Sequence, residues 1–277
     1  MKILAWDTST RAGALVAMEC LDPVRAPSEI KLISEWNLNV DLQHSERLLW
    51  SIDQVLQAAR WKMSEVDVLG VGVGPGSFTG LRVGVTTARS LGYALKKPVI
   101  GVSSLVASAR SASPYLRENR ERSLIVVMRD AAKGELFALV GAAKAIGDCI
   151  VAADGDRPGV WKRGVEEGVY SPDDLAKLIK KKSIEGKSGK EKCRVLWIGE
   201  DPTRYPKALA ALDSLPKVEV PELYLSQTSG RALGTLVWQA FQAGLASEAL
   251  SVKPHYLRAS DAEAKLSRGL LKPAARS

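Results

Sequence analysis

Apolar and β-branched positions alternate or run together over residues 3–7, 12–20 and 31–39, separated by turn-forming segments such as those containing Pro23 and Pro27. The chain is therefore predicted to open as a meander of three strands. Across residues 41–61 the period changes: Leu48, Leu49, Ile52, Val55, Leu56 and Ala59 recur at helical spacing, while Arg47, Asp53 and Arg60 fall elsewhere. That spacing predicts an amphipathic helix. A buried strand at 66–73, a helix at 80–95, a strand at 98–102 and a helix at 104–112 follow. Strands that alternate with helices imply a parallel layer beside the meander.

Beyond Pro114 the charge density rises through Arg117, Glu118, Arg120, Glu121 and Arg122, and strands at 124–128 and 135–143 begin a second unit of the same grammar. Ser171 and Pro172 start a helix that runs to about residue 182; proline is harmless at the first helical position, and Asp173 and Asp174 sit near the positive end of the dipole. A strand at 194–198, a short helix at 206–212 and a long helix at 228–243 complete the unit. The lysines and glycines of residues 180–192 bury little apolar surface. They predict a mobile, solvated loop, with a nucleic-acid-touching patch as the alternative.

Composition narrows the class. A chain of 277 residues with 46% hydrophobic content builds a proper core in one large or two smaller domains. A formal net charge of +8 favours acidic partners such as nucleic acid. Cys20, Cys149 and Cys193 are odd in number and widely spaced, which fits a reducing compartment and gives no zinc clip. The first apolar run meets Asp7 after four residues, too short for a secretory leader, and no run approaches a membrane span, so a cytoplasmic protein with no membrane association is expected.

Candidate chemistry centres on the loop from Gly72 to Gly84. It lacks the lysine of a Walker phosphate loop, because Leu81 follows Gly80, and it lacks the third glycine of a dinucleotide fingerprint, because Thr79 stands there. Gly74 and Gly76 permit backbone angles closed to other residues, and Pro75 stiffens the turn. Two readings stay open: a tight strand-to-helix turn, or an anion or nucleotide site built from Asp7, Thr8, Gly74, Gly76, Ser77 and Thr79 around the next helix N-terminus. His44 and His255, the two histidines, neighbour no Gly-x-Ser-x-Gly nucleophile elbow, so protease activity is not expected.

The block from Gly74 to Gly84, taken with Asp7-Thr8-Ser9, Gln43-His44-Ser45-Glu46, Arg129 to Phe137, and Pro254 to Glu263, closely resembles the TsaB (YeaZ) family of bacterial tRNA threonylcarbamoyladenosine biosynthesis proteins. The resemblance implies an α/β, actin-like fold of two ribonuclease-H-like halves, each a mixed sheet flanked by helices. Residues 1–112 with about 227–250 form the first half, 113–226 the second, and 251–277 a C-terminal tail. It also implies a non-catalytic partner that forms a heterodimer with TsaD, works with TsaE, reaches tRNA through the complex, and closes a homodimer when alone. No cofactor is then bound tightly, and ATP is used by the complex rather than by this chain.

In TsaD, two histidines four residues apart bind the catalytic metal. Ser104 and Ser108 stand at the matching positions here, and neutral hydroxyls are poor ligands for a transition metal. The resemblance places the TsaD contact on the helix pair: Leu48, Leu49, Ile52, Val55 and Leu56 on one helix, the small residues Gly84, Ala88 and Gly92 on the other, and His44 and Glu46 at the rim. The competing reading of the apolar set is that it packs on the chain's own sheet. The competing function is an independent ATP-binding or ATP-hydrolysing enzyme of the actin-like class, using Asp7 and the 74–80 loop.

Overall fold

The computed structural model describes residues 1–21, 29–39, 44–112, 123–147, 165–185, 193–199, 205 and 228–258. The predicted opening meander is present as β1 (Lys2–Asp7), β2 (Ala12–Cys20) and β3 (Ile30–Asn39), each antiparallel to the next. Helix α1 (His44–Ala59) leads to β4 (Val68–Gly74), α2 (Phe78–Leu95), β5 (Val99–Ser103) and α3 (Ser104–Ser111). Strand β4 lies parallel to β1 and β5 parallel to β4, giving the order β3-β2-β1-β4-β5.

A second sheet repeats this arrangement with β6 (Ser123–Asp130), β7 (Leu136–Ala142), β8 (Val165–Tyr170) and β9 (Arg194–Gly199) in the order β8-β7-β6-β9. Strands β6 to β8 are antiparallel and β9 is parallel to β6, as β4 is to β1. The short helix α4 (Ala143–Gly147), α5 (Pro172–Glu185) and α6 (Gly230–Gln242) complete the described elements.

Strand β1 shows how the layers are specified. Leu4 and Trp6 face a cluster formed with Leu48, Ile52, Val55 and Leu56 of α1 and Val85 and Ala88 of α2. Ile3 and Ala5 face the opposite cluster, which contains Leu233, Leu236 and Val237 of α6 and Leu105, Val106 and Ala109 of α3. Alternate residues thus serve opposite cores, as the two-residue strand period requires. The second cluster continues into the other sheet through Ile125, Val127, Leu139 and Leu196, while Val126 and Met128 turn to Leu175 and Ile179 of α5. Each fully buried aliphatic side chain contributes about 1.5–3 kcal/mol.

Several local expectations change. Strand β8 was not predicted, because Glu166 and Glu167 interrupt its apolar pattern at the sheet edge. The strand predicted for 135–143 ends at Ala142, where α4 begins. The helix predicted to end near residue 182 continues to Glu185, so residues 183–185, expected in a loop, are helical, with Ser183 buried and Ile179 anchoring that turn. The remainder of that loop, the 206–212 helix, Cys149 and residues 259–277 lie outside the described residues. Among the described residues no helix is long and apolar enough to cross a membrane.

Candidate functional site

The glycine loop is stitched to the first hairpin. Thr8 Oγ1 donates to the Gly80 carbonyl at 2.7 Å, and Ser77 N donates to the Ser9 carbonyl at 2.7 Å. The Ser77 side chain caps α2 by accepting from Gly80 N at 3.3 Å. A Cβ on Gly76 would fall 2.2 Å from the Ser9 carbonyl oxygen, and one on Gly80 2.1 Å from that of Thr8. Of the two glycines expected to supply unusual backbone angles, Gly74 does so at φ +109, whereas Gly76 is needed for close approach instead.

Asp7 and Thr8 are 2% exposed, and the Asp7 carboxylate accepts from Ser9 N at 2.8 Å through one oxygen while the other has no hydrogen-bond partner. The first hairpin turn thus points into the protein rather than into open solvent. Across it lies Arg129, at the end of β6. Its guanidinium donates to Ser9 Oγ (2.8 Å), the Pro75 carbonyl (3.3 Å), the Ser104 carbonyl (3.3 Å), Ser108 Oγ (2.6 Å) and Thr228 Oγ1 (3.1 Å). Ser108 and Thr228 also bond each other at 2.9 Å. Burial lowers the Arg129 pKa, and the Asp7 and Glu167 carboxylates pull it back up. Glu167 on β8 accepts from Ser103 Oγ at 3.0 and 3.2 Å, yet desolvation pushes its carboxyl up to about 8.

Outside this interior cluster a cleft of about 590 Å³ opens between the sheets, with Gly76, Ser77, Phe78 and Arg82 on one wall and Asp130 to Ala132 on the other. Residues His255 to Arg258 cross it as a strap. His255 N donates to the Val73 carbonyl at 2.7 Å, the Tyr256 ring lies 4.9 Å from that of Phe78, and Arg82 lies 4.0 Å over the Phe78 ring. Arg258 donates to the Ala131 and Ala132 carbonyls.

Of the six candidate anion-site residues, Gly76 and Ser77 line this cleft, while Asp7 and Thr8 are turned into the interior cluster; Gly74 lies buried behind the loop and Thr79 is exposed on α2. No group of three or more His, Cys, Asp and Glu positioned for a metal is present among the described residues.

On the helix pair, Leu48, Ile52, Val55 and Leu56 are between 0% and 6% exposed and belong to the chain's own core, so the packing reading holds for them in this structure. The ridge of small residues also faces inward: a Cβ on Gly84 would meet Thr8 Oγ1, and one on Gly92 would meet Val99 and Ala249. Ala88 is fully buried with them. Leu49 (61% exposed), Trp50 (50%) and Tyr93 (68%) are what these helices present outward, with Trp36 against Trp50 at 5.4 Å between ring centroids. His44 and Glu46 occupy the first turn of α1, and their side chains lie outside the described set.

Arg129, Thr228 and Glu167 received no role from sequence patterns. The available signal was an arginine closing the otherwise apolar strand 124–128, where an unpaired charge is costly and a partner must exist.

Two mixed sheets of matching order, packed through shared helices with a cleft between them, define an actin-like protein of two ribonuclease-H-like halves. Two solved structures from Pseudomonas aeruginosa share the fold: a protein described as similar to peptidase YeaZ (TM-score 0.61, 20% identity, 93% of this chain and 99% of that one) and YeaZ itself (0.60, 19%, 92% and 99%). The family model for TsaD, tRNA N6-adenosine threonylcarbamoyltransferase, matches residues 39–266, and the chain belongs to that family, among its TsaB (YeaZ) members. It is 29% identical over 173 residues to the tRNA threonylcarbamoyladenosine biosynthesis protein TsaB of Escherichia coli, covering 62% of this chain and 64% of the relative. To TsaB of Haemophilus influenzae it is 34% identical over 137 residues, covering 50% and 52%. The chain thus spans less than two thirds of the length of either relative.

Proposed function

We propose that this chain is a non-catalytic subunit that binds and activates a TsaD-type transferase during threonylcarbamoyl transfer to adenosine 37 of tRNA. The observation that supports this reading is Arg129: its guanidinium bonds the Ser104 carbonyl and Ser108 Oγ, residues that the family resemblance sets against the TsaD metal histidines. A permanent cation 2.6 Å from Ser108 Oγ repels a divalent ion at that helix, and the hydroxyl offers it no strong ligand. The names of the related TsaB proteins support a place in the same biosynthesis. ATP and any catalytic metal are then properties of the complex, including its TsaE component, and tRNA is met through the complex.

The partner surface is reassigned to the outward residues Leu49 and Trp50, the latter set against the Trp36 ring, side chains of the kind that anchor interfaces. The same patch closes a homodimer when TsaD is absent, since a two-fold axis pairs like surfaces.

Purified alone with threonylcarbamoyl-adenylate and tRNA, the chain is expected to transfer nothing; adding TsaD and TsaE is expected to restore transfer. Robust transfer by the chain alone, or tight Mg-ATP binding with turnover in a calorimeter, would refute the reading, the latter in favour of an independent ATPase. Leu49→Arg is expected to abolish co-elution with TsaD while leaving the circular dichroism spectrum intact, because Leu49 is 61% exposed on the single chain and the new charge burdens the contact rather than the fold. Unchanged co-elution of a folded Leu49→Arg would remove this patch from the interface.

A further inference from the structure

We propose that Arg129 is a built-in cation that closes the floor of the inter-half cleft and holds the two halves in one fixed relation without any ligand. The residue belongs to β6 of the second half, but all five of its hydrogen bonds leave that half. They end on four segments far apart in sequence: the β1–β2 turn at Ser9, the loop after β4 at Pro75, helix α3 at Ser104 and Ser108, and the entry to α6 at Thr228. A planar guanidinium with several fixed donors can satisfy such a divergent set, whereas an ammonium of the same charge lacks the fork.

The surroundings make the residue more than one contact among many. The partly unpartnered Asp7 carboxylate supplies negative charge nearby, and Glu167 reaches the same region from β8 through its bond to Ser103. Ser9 is also where the first hairpin meets the glycine loop that carries Pro75, since Ser77 N bonds the Ser9 carbonyl. The apolar cluster beside them runs unbroken from α3 into the second sheet, so water has little access to replace the lost donors. In a protein whose halves close around a ligand, a bound cation or phosphate supplies the bridging contacts; here a side chain supplies them permanently.

Hydrogen exchange on the full chain tests this in the absence of any partner, so its outcome is independent of TsaD binding. In Arg129→Ala, amides of residues 8–9, 77–81 and 104–108 are expected to exchange at least about tenfold faster, while the β2–β3 ladder keeps its rates. Low-millimolar guanidinium chloride should restore slow exchange, whereas urea at the same concentration should not. Unchanged rates, equal acceleration in the β2–β3 ladder, or absence of guanidinium recovery would each overturn the proposal. Should Arg129→Ala fail to fold, Ser108→Ala combined with Thr228→Val removes two acceptors and leaves the cation in place. Faster exchange confined to the same segments then supports the assignment, and unchanged exchange sinks it.

Discussion

The two hairpins β1–β2 and β6–β7 occupy equivalent places in their sheets and share a local turn. Asp7 ends β1 and accepts from Ser9 N at 2.8 Å; Asp130 ends β6 and accepts from Ala132 N at 2.7 Å. Their surroundings are opposite. The first turn is buried, with Thr8 and Ser9 bonded to the glycine loop and to Arg129. The second is exposed at Asp130, and Ala132, Lys133 and Gly134 turn outward through successive positive φ values of 60, 58 and 79. An acid at a strand end therefore sets the turn but not its chemistry. What faces it across the cleft decides that, and here the second half presents a cation to the first turn while Arg258 of the C-terminal strap bonds the carbonyls of the second.

The sharpest way to break this contrast is Arg129→Met. It leaves four oxygen-bearing segments without their shared donor and removes the countercharge beside the Asp7 carboxylate, and the expected loss is about 3–5 kcal/mol by urea denaturation; a loss below about 1 kcal/mol would show the first turn to be self-sufficient. Next comes Gly80→Ala, where the new Cβ meets a backbone oxygen at 2.1 Å and about 3 kcal/mol is expected to be lost as the loop separates from Thr8.

Glu167 sharpens the comparison through pH. Its folded value of about 8 lies above the ordinary 4.5, so the folded state keeps a proton that the unfolded chain releases between those values. Stability from this group is full below about pH 4.5 and falls as pH rises toward 8. Glu167→Gln is expected to flatten that slope and to raise stability at pH 8.5 by about 2 kcal/mol, after allowance for solvent around the part-buried group. An unchanged slope in thermal melts across this range would assign the titration elsewhere. The smallest effect belongs to the open turn: Gly134→Ala has no atom within 4 Å of the new Cβ and bears only the strain of φ +79, a cost of about 1 kcal/mol. A loss near that of Gly80→Ala would mean the second turn is packed in solution.

The repeat of strand meanders and crossover helices was legible because its signals are local: period two in β1 to β3, and period 3.6 in α1. Ser103 shows where such reading stops. It caps α3, which spacing suggests, but its second bond to Glu167 joins strands of different sheets and has no sequence period. The partner face was half legible for the same reason. Periodicity separated Leu48 and Ile52 from Asp53, yet it could not say that these side chains are consumed by the sheet beneath while Leu49 and Trp50 remain outside. Arg129 was visible as an oddity in an apolar strand, but its five acceptors lie between 21 and 120 residues away along the chain.

Helix α6 sets an order of events during synthesis. Its Leu233, Leu236 and Val237 dry the inner face of a sheet whose first strand ends at Asp7, and Met18 sits where Gly234 allows the helix to approach. A nascent polypeptide therefore carries Ile3, Ala5, Val16 and Met18 without their α6 cover until nearly the whole second half has left the ribosome, so two strands made well before that half are sheltered only after it.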